Sequence, residues 1–225
     1  MPPSPPALVF DLDGTLIDSV HDIAAGLNHV LAEAGRRALT AAEVARMIGD
    51  GAPVLVARGF EATGGPDADM PAQVAHFLAV YESMSTAQTV PFPGVLATLE
   101  ALRDAGTVMG ICTNKPIAPT HIVLRDLDLD HFFAAVVGGD SGPTRKPDGG
   151  PLRATLDMMG ADTAVMVGDS INDVGTARAI GLPVICMRYG YTRIPHDELG
   201  ADLLLDRFED IPGAAIRLLA GAPAR

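Results

Sequence analysis

Asp11 and Asp13 stand one residue apart at the end of an apolar run, Ala7-Leu8-Val9-Phe10, and side chains two apart on a strand share a face. Two carboxylates this close cannot easily both stay bare. One holds a proton, or a cation sits between them, and either arrangement suits chemistry on a phosphate. Three further segments end apolar runs in the same way. Met109-Gly110-Ile111-Cys112 gives way to Thr113-Asn114-Lys115-Pro116, a hydroxyl and an amide where a helix opens at a good first-turn proline. Thr113 fits a cap of that helix, and a helix N-terminus with free N–H groups is already an anion site. Arg145-Lys146-Pro147-Asp148 puts a basic pair in a Gly- and Pro-rich loop. Ala164-Val165-Met166-Val167-Gly168 ends on Asp169, with Asp173 one helical turn later, so both acids can face one point from the start of a helix.

Groups of this kind need strands that end together. From Asp104 onward, amphipathic segments alternate with apolar runs near 107–112, 134–137, 164–167 and 183–187. Such alternation implies an α/β fold with a parallel doubly wound sheet, whose ligands bind beyond the carboxyl ends of the strands. The gap from Phe10 to Thr107 far exceeds a crossover of about a dozen residues, so something is inserted there. It reads as all helix. Ser19-x-x-Asp22 resembles a capping box, followed at helical spacing by Val20, Ile23, Ala24, Leu27, Val30 and Leu31 as far as Gly35. Thr40-x-x-Glu43 repeats the start signal, Gly49-Asp50-Gly51 breaks the chain, and Pro53 reopens a helix. Residues 61–69 read as loop, and Val74, Phe77, Leu78 and Tyr81 mark a last helix before Pro91, Pro93 and Gly94. Residues 1–6 read as a loose tail.

Composition narrows the setting. A net charge of −12 over 225 residues argues against a nucleic-acid partner and disfavours an anionic substrate at long range. The site must supply its own positive charge, and a hard dication on oxygen ligands is the natural source. No apolar stretch approaches the roughly 18 residues of a membrane span, and no basic region precedes a long apolar core as in a secretory signal. A cytoplasmic protein is the expectation. Cys112 and Cys186 fall in buried strands and read as core residues of a reducing compartment, not as a disulfide.

In chain order, Asp-x-Asp-Gly-Thr, Thr-Asn-Lys, Lys-Pro and Gly-Asp-x-x-x-Asp resemble the four motifs of the haloacid dehalogenase superfamily, over residues 8–205. The resemblance implies a Rossmann-like doubly wound parallel sheet core, residues 1–18 and 90–225, with an inserted all-helical cap, residues 19–89, hinged near 16–19 and 86–92. It also implies Mg²⁺-dependent hydrolysis of a small phosphate monoester through an aspartyl-phosphate. By that analogy Asp11 is the nucleophile and Asp13 the general acid and then base. Thr113 and Lys146 hold the phosphoryl oxygens, with Asn114 shaping their loop. Asp11, the backbone carbonyl of Asp13, and Asp169 bind Mg²⁺, with Asp173 behind them acting through water.

The superfamily's dehalogenases lack the second acid of the first motif, and its phosphonate-cleaving members use a cap lysine, which residues 19–88 do not contain. Other sugar-phosphate phosphatases and phosphomutases stay open, although mutases usually carry a basic residue where this chain has Gly49-Asp50-Gly51-Ala52. Ile48-Gly-Asp-Gly-Ala-Pro-Val-Leu-Val, Pro93-Gly-Val, Val137-Gly-Gly-Asp and Tyr189-Gly-Tyr are similar to segments of the superfamily's phosphoglycolate phosphatases. That makes 2-phosphoglycolate the expected ester, Gly49, Asp50 and Gly51 the specificity loop of the cap, and Arg58 a candidate partner for the substrate carboxylate. Asp148-Gly149-Gly150-Pro151 departs from the pattern, in which proline usually follows the aspartate directly, and is expected to loosen the loop carrying Lys146. Receiver domains also gather acids, a Thr and a Lys on a parallel sheet, but the long insert and the two acids on the first strand argue against one. Monomer and homodimer both fit.

Overall fold

The computed structural model describes residues 7–84 and 86–220; the tail read at residues 1–6 lies outside them. Six parallel strands form the sheet: β1 (Ala7–Phe10), β4 (Met109–Cys112), β5 (Ala135–Val137), β6 (Ala164–Gly168), β7 (Val184–Met187) and β8 (Leu203–Leu205), in the order β5-β4-β1-β6-β7-β8. The strand order reverses at β1. Its neighbours β4 and β6 lead to opposite halves of the sheet, and ligands of open α/β sheets collect at such a switch point.

The strands are apolar throughout because both faces are covered. Leu8, Phe10, Ile111, Val165, Val167 and Ile185 point to one side, against α5 (Val95–Asp104), α6 (Ile117–Asp126) and α9 (Ile211–Leu219). Val9, Cys112, Met166, Val184 and Cys186 point to the other, against α7 (Gly150–Met159) and α8 (Ile171–Ala179). Both cysteines are free and buried. Strands β4, β5 and β7 start one or two residues later than the apolar runs, since Thr107, Ala134 and Pro183 lie outside them, whereas β6 starts with its run at Ala164. The last strand, β8, was not among the runs read from the sequence: at three residues it is too short for a period to show.

The long gap holds helices α1 (Val20–Glu33), α2 (Ala41–Ala45), α3 (Ala52–Ala62) and α4 (Met70–Glu82). They close on a core of their own, including Leu27, Leu31, Val56, Phe60 and Phe77. The capping box at Thr40 and Glu43 is present, and Pro53 sits in the first turn of α3. The chain enters and leaves this insert through a two-stranded antiparallel ribbon, β2 (Ile17–Asp18) with β3 (Val90–Pro91).

The box expected at Ser19 and Asp22 does not form. Ser19 precedes α1 without capping it, and its hydroxyl donates to Asp13 Oδ1 at 2.6 Å. Asp22 is buried and accepts from Gln88 N–H, Thr89 N–H and the Thr89 hydroxyl at 2.7–3.0 Å. The spacing permits a local cap, but an acceptor, Asp13, takes the Ser19 hydroxyl and donors at Gln88 and Thr89 take Asp22. No described helix is long and apolar enough to cross a membrane.

Removing the Asp22 carboxylate breaks its bonds to Gln88 and Thr89, and a hydrogen bond to a charged group contributes about 1.5–3 kcal/mol. Asp22→Ala should lower unfolding stability by about 2–4 kcal/mol in urea titration; a loss near zero would show that the return crossing does not depend on it.

Candidate active site

Three strand ends build the floor of the site. Asp11 extends β1, its N–H donating to Val167 O at 2.8 Å. Thr113 extends β4, its N–H donating to Val137 O at 3.0 Å. Asp169 follows β6, and Asp173 lies in the first turn of α8. Carboxylate oxygens of Asp11, Asp169 and Asp173 fall within 4.8 Å of one another, all buried. Lys146 Nζ lies 2.9 Å from Asp11 Oδ1 and 2.6 Å from Asp173 Oδ1.

The environment resists so much negative charge. Burial pushes Asp11 up to about 6 despite the pull of Lys146. Burial, then the charges of Asp173 and Asp11, push Asp169 well above the carboxylate range. Burial also works against the Lys146 ammonium, but Asp11 and Asp173 outweigh it and raise its pKa.

Each acid is oriented differently. Asp169 accepts from the Thr15 hydroxyl at 3.1 Å and from Tyr191 N–H at 2.6 Å. The backbone passes so close there that a Cβ on Gly190 would stand 2.1 Å from the Asp169 Cβ. Asp173 is taken up by the protein on both oxygens, by Lys146 on one and by Asp169 N–H, Ser170 N–H and the Ser170 hydroxyl on the other. Asp11 Oδ1 is buried near Lys146 and yet accepts no hydrogen bond of good geometry. A crowded all-oxygen donor set with an unsatisfied oxygen fits a hard divalent cation. Asp13 stands outside this cluster, its side chain held by Ser19 at 2.6 Å and Lys115 at 3.1 Å.

The cleft above these groups measures about 530 Å³ with its mouth included, and the insert supplies one wall through Ile23, Leu55, Phe77 and Tyr81. Asn114 and the insert loop are tied together there. Asn114 Nδ2 donates to Gly49 O at 2.8 Å and to Lys146 O at 3.0 Å, and its Oδ1 accepts from Lys146 N–H at 2.9 Å. Asn114 therefore holds the Lys146 loop to the insert, with its amide engaged at both ends. The departure at 148–151 leaves the Lys146 loop pinned: Asp148 accepts from Thr144 and Gly150 N–H, and the Thr176 hydroxyl donates to Asp148 O.

Asp50 meets Arg58 and Arg193 at 2.5 Å each and accepts from Asn172 at 2.7 Å. Burial opposes its charge, but the bonds from Arg193, Asn172 and Arg58 keep its carboxyl below the usual range. Arg58 is thus occupied by Asp50 and by Met47 O and does not line the cleft, which removes it as the expected partner of a substrate carboxylate.

Four contributors escaped the sequence reading. Thr15 and Tyr191 position Asp169, and Lys115 and Tyr81 flank Asp13, with Tyr81 Oη 2.7 Å from Lys115 Nζ. Asp-x-Asp-Gly-Thr, Thr-Asn-Lys and Tyr189-Gly-Tyr are visible signals for three of them. Tyr81 read as an apolar marker of its helix, and its hydroxyl was the overlooked feature.

Residues 8–187 match the family model of the haloacid dehalogenase-like hydrolases. The chain is 42% identical over 221 residues to a phosphoglycolate phosphatase of Caulobacter vibrioides, covering 96% of this chain and 93% of that one. It is 47% identical over 215 residues to a phosphoglycolate phosphatase of Rhodospirillum rubrum, covering 92% and 89%. A crystal structure of a predicted phosphoglycolate phosphatase from Haemophilus somnus superposes with a TM-score of 0.89 at 30% identity, covering 95% of this chain and 99% of that one.

Raised carboxyl pKa values bind protons in the folded state, so stability falls as pH climbs through the window from the ordinary value of 3.8 to about 6 for Asp11. A bound dication offsets this loss and must displace those protons at low pH. In thermal melts, Mg²⁺ should therefore raise Tm more at pH 7.5 than at pH 5, and Asp169→Asn should abolish most of the gain. An equal gain at both pH values would remove the cluster as the binding site.

Proposed function

The chain belongs to the haloacid dehalogenase-like hydrolases, and on that premise we propose that it is a Mg²⁺-dependent phosphatase that cleaves 2-phosphoglycolate through an aspartyl-phosphate. The observation that carries the substrate is the near-full-length similarity to phosphoglycolate phosphatases in a chain whose acid cluster is complete.

Asp11 attacks phosphorus, forming an Asp11–phosphorus bond as the ester oxygen leaves; carboxylates serve as nucleophiles in this way. Asp13 gives that oxygen its proton and then takes one from the water that releases inorganic phosphate. Ser19 and Lys115 orient its carboxylate for both steps. Thr113 and Lys146 hold phosphoryl oxygens, and Asp173 steadies Lys146. Asp11, the backbone carbonyl of Asp13, and Asp169 would hold Mg²⁺, which when bound neutralises charge between nucleophile and phosphate. The helical insert is a cap. Its loop of Gly49, Asp50 and Gly51 closes on the core through Asn114, Asn172 and Arg193, which excludes water from the reacting groups.

Asp11→Asn keeps the shape and removes the nucleophile. Its kcat should fall by orders of magnitude, and excess chelator should silence the wild type until Mg²⁺ is returned. A folded variant retaining more than about a tenth of wild-type kcat contradicts covalent catalysis by Asp11.

Gly51 sits at φ +88°, with Arg145 Nη1 and Asn114 O at 3.1 and 3.3 Å from any added Cβ. Gly51→Val is strained in backbone and crowded in side chain, so it should disfavour closure. Loss of kcat/KM should be larger for 2-phosphoglycolate than for a small activated aryl phosphate, which needs neither the acid nor the fit. Equal losses would mean that the loop serves folding alone.

A further inference from the structure

Lys115 is a buried cation to which the orienting of Asp13 alone assigns no contact with substrate. Its side chain is 4% exposed, and its Nζ reaches Asp13 at 3.1 Å and the Tyr81 hydroxyl at 2.7 Å. It also lies 4.5 Å from the centre of the Tyr81 ring, which is itself stacked on Phe77. Burying an ammonium is costly unless partners recover the lost hydration. The Asp13 carboxylate and the Tyr81 hydroxyl are those partners.

Apart from Lys146 at the acid cluster, Lys115 is the only basic side chain of the cleft among the described residues. The nearby arginines are engaged elsewhere: Arg58 and Arg193 on Asp50, and Arg145 on Asp50 O. The two site lysines therefore mark two ends. Lys146 lies against Asp11 and Asp173, where phosphorus would sit. Lys115 lies against Asp13, the group that faces the leaving oxygen.

In 2-phosphoglycolate the carboxylate carbon follows directly on the methylene that bears the ester oxygen. A cation bound to Asp13 is thus adjacent to the position of that carboxylate once the phosphate is seated. Tyr81 adds a hydroxyl donor from the insert side, and the neighbouring wall of Ile23, Leu55 and Phe77 offers nothing to a longer polar chain.

We infer that Lys115, held by Tyr81, is the carboxylate subsite of the cleft, and that it selects short phosphate esters carrying a carboxylate next to the ester carbon. This rests on the phosphatase reading above and supplies the recognition that Arg58 does not.

The test compares 2-phosphoglycolate with 2-hydroxyethyl phosphate, which replaces the carboxylate by a neutral hydroxymethyl group. Wild type should prefer the former in kcat/KM. A hydrogen bond to a charged group contributes about 1.5–3 kcal/mol, so Lys115→Met should shrink that preference about 10- to 100-fold. Lys115→Arg should retain part of it, and Tyr81→Phe should lower it by less than Lys115→Met. Inhibition by glycolate should weaken in parallel with the lost preference. The readout is a ratio on one preparation, so the folded fraction cancels, and Lys115→Arg and Tyr81→Phe serve should Lys115→Met not fold. If wild type prefers 2-phosphoglycolate and all variants keep that preference, with both esters slowed alike, Lys115 only positions Asp13 and the subsite is wrong. If wild type itself turns over the two esters equally, the substrate reading falls and the subsite with it.

Discussion

Three carboxylates, Asp11, Asp169 and Asp173, are forced into one buried place within 4.8 Å of each other, and the rest of the site follows from that repulsion. One buried lysine, Lys146, spans two of them and cannot neutralise three. The remaining charge leaves either protons, as the raised values of Asp11 and Asp169 indicate, or a bound cation. The surrounding backbone is arranged to hold the acids in place despite this. N–H groups of Asp169, Ser170 and Tyr191 all point at carboxylate oxygens. The parallel sheet makes such an arrangement possible, because adjacent strands β1 and β6 end side by side and release their next residues into the same space.

The second organising feature is the division of labour across the cleft. Lys146 serves the acid cluster and Lys115 serves Asp13, so the two ends of a small ester would meet different cations. Asn114 lies between them, bonded to both sides of the Lys146 peptide and to Gly49 of the insert loop. The residue joining phosphate handling to insert position therefore sits directly between Thr113 and Lys115 in the chain, and moving the loop disturbs all three.

The sheet and the meeting of its strand-end side chains are legible in the sequence because strand-end motifs are local: an apolar run, then a polar or charged residue, then a helix start. Asp11, Thr113, Asp169 and Asp173 were all readable in that way. What escaped was set by contacts between residues distant in sequence. Lys115 meets Asp13 across 102 positions and Tyr81 across 34, and no local pattern encodes either distance. Ser19 and Asp22 were misread because their spacing does fit a capping box, while stronger claims on both side chains came from elsewhere in the fold. Arg58 was misassigned for the same reason, since nothing local shows that Asp50 engages it. Strands β2, β3 and β8 were invisible as periods because two or three residues hold less than two repeats of a strand.

The ribbon of β2 and β3 places the chain's departure from the core beside its return, with Ile17 paired to Pro91 and Asp18 to Val90. Paired strands lie about 4.8 Å apart, so the core sees the whole of α1–α4 as a single short loop. An insert of other length or shape could be exchanged at that junction without altering the register of the six-stranded sheet, as insertions at closely spaced chain ends generally permit. Descent within such an architecture can change which ester is chosen while inheriting the means of cleaving it unaltered. Lys115 is the charged exception inside the cleft: it follows β4 but is held by Tyr81 of the insert, so a new insert must either bring its own partner for that ammonium or be accompanied by a change at position 115.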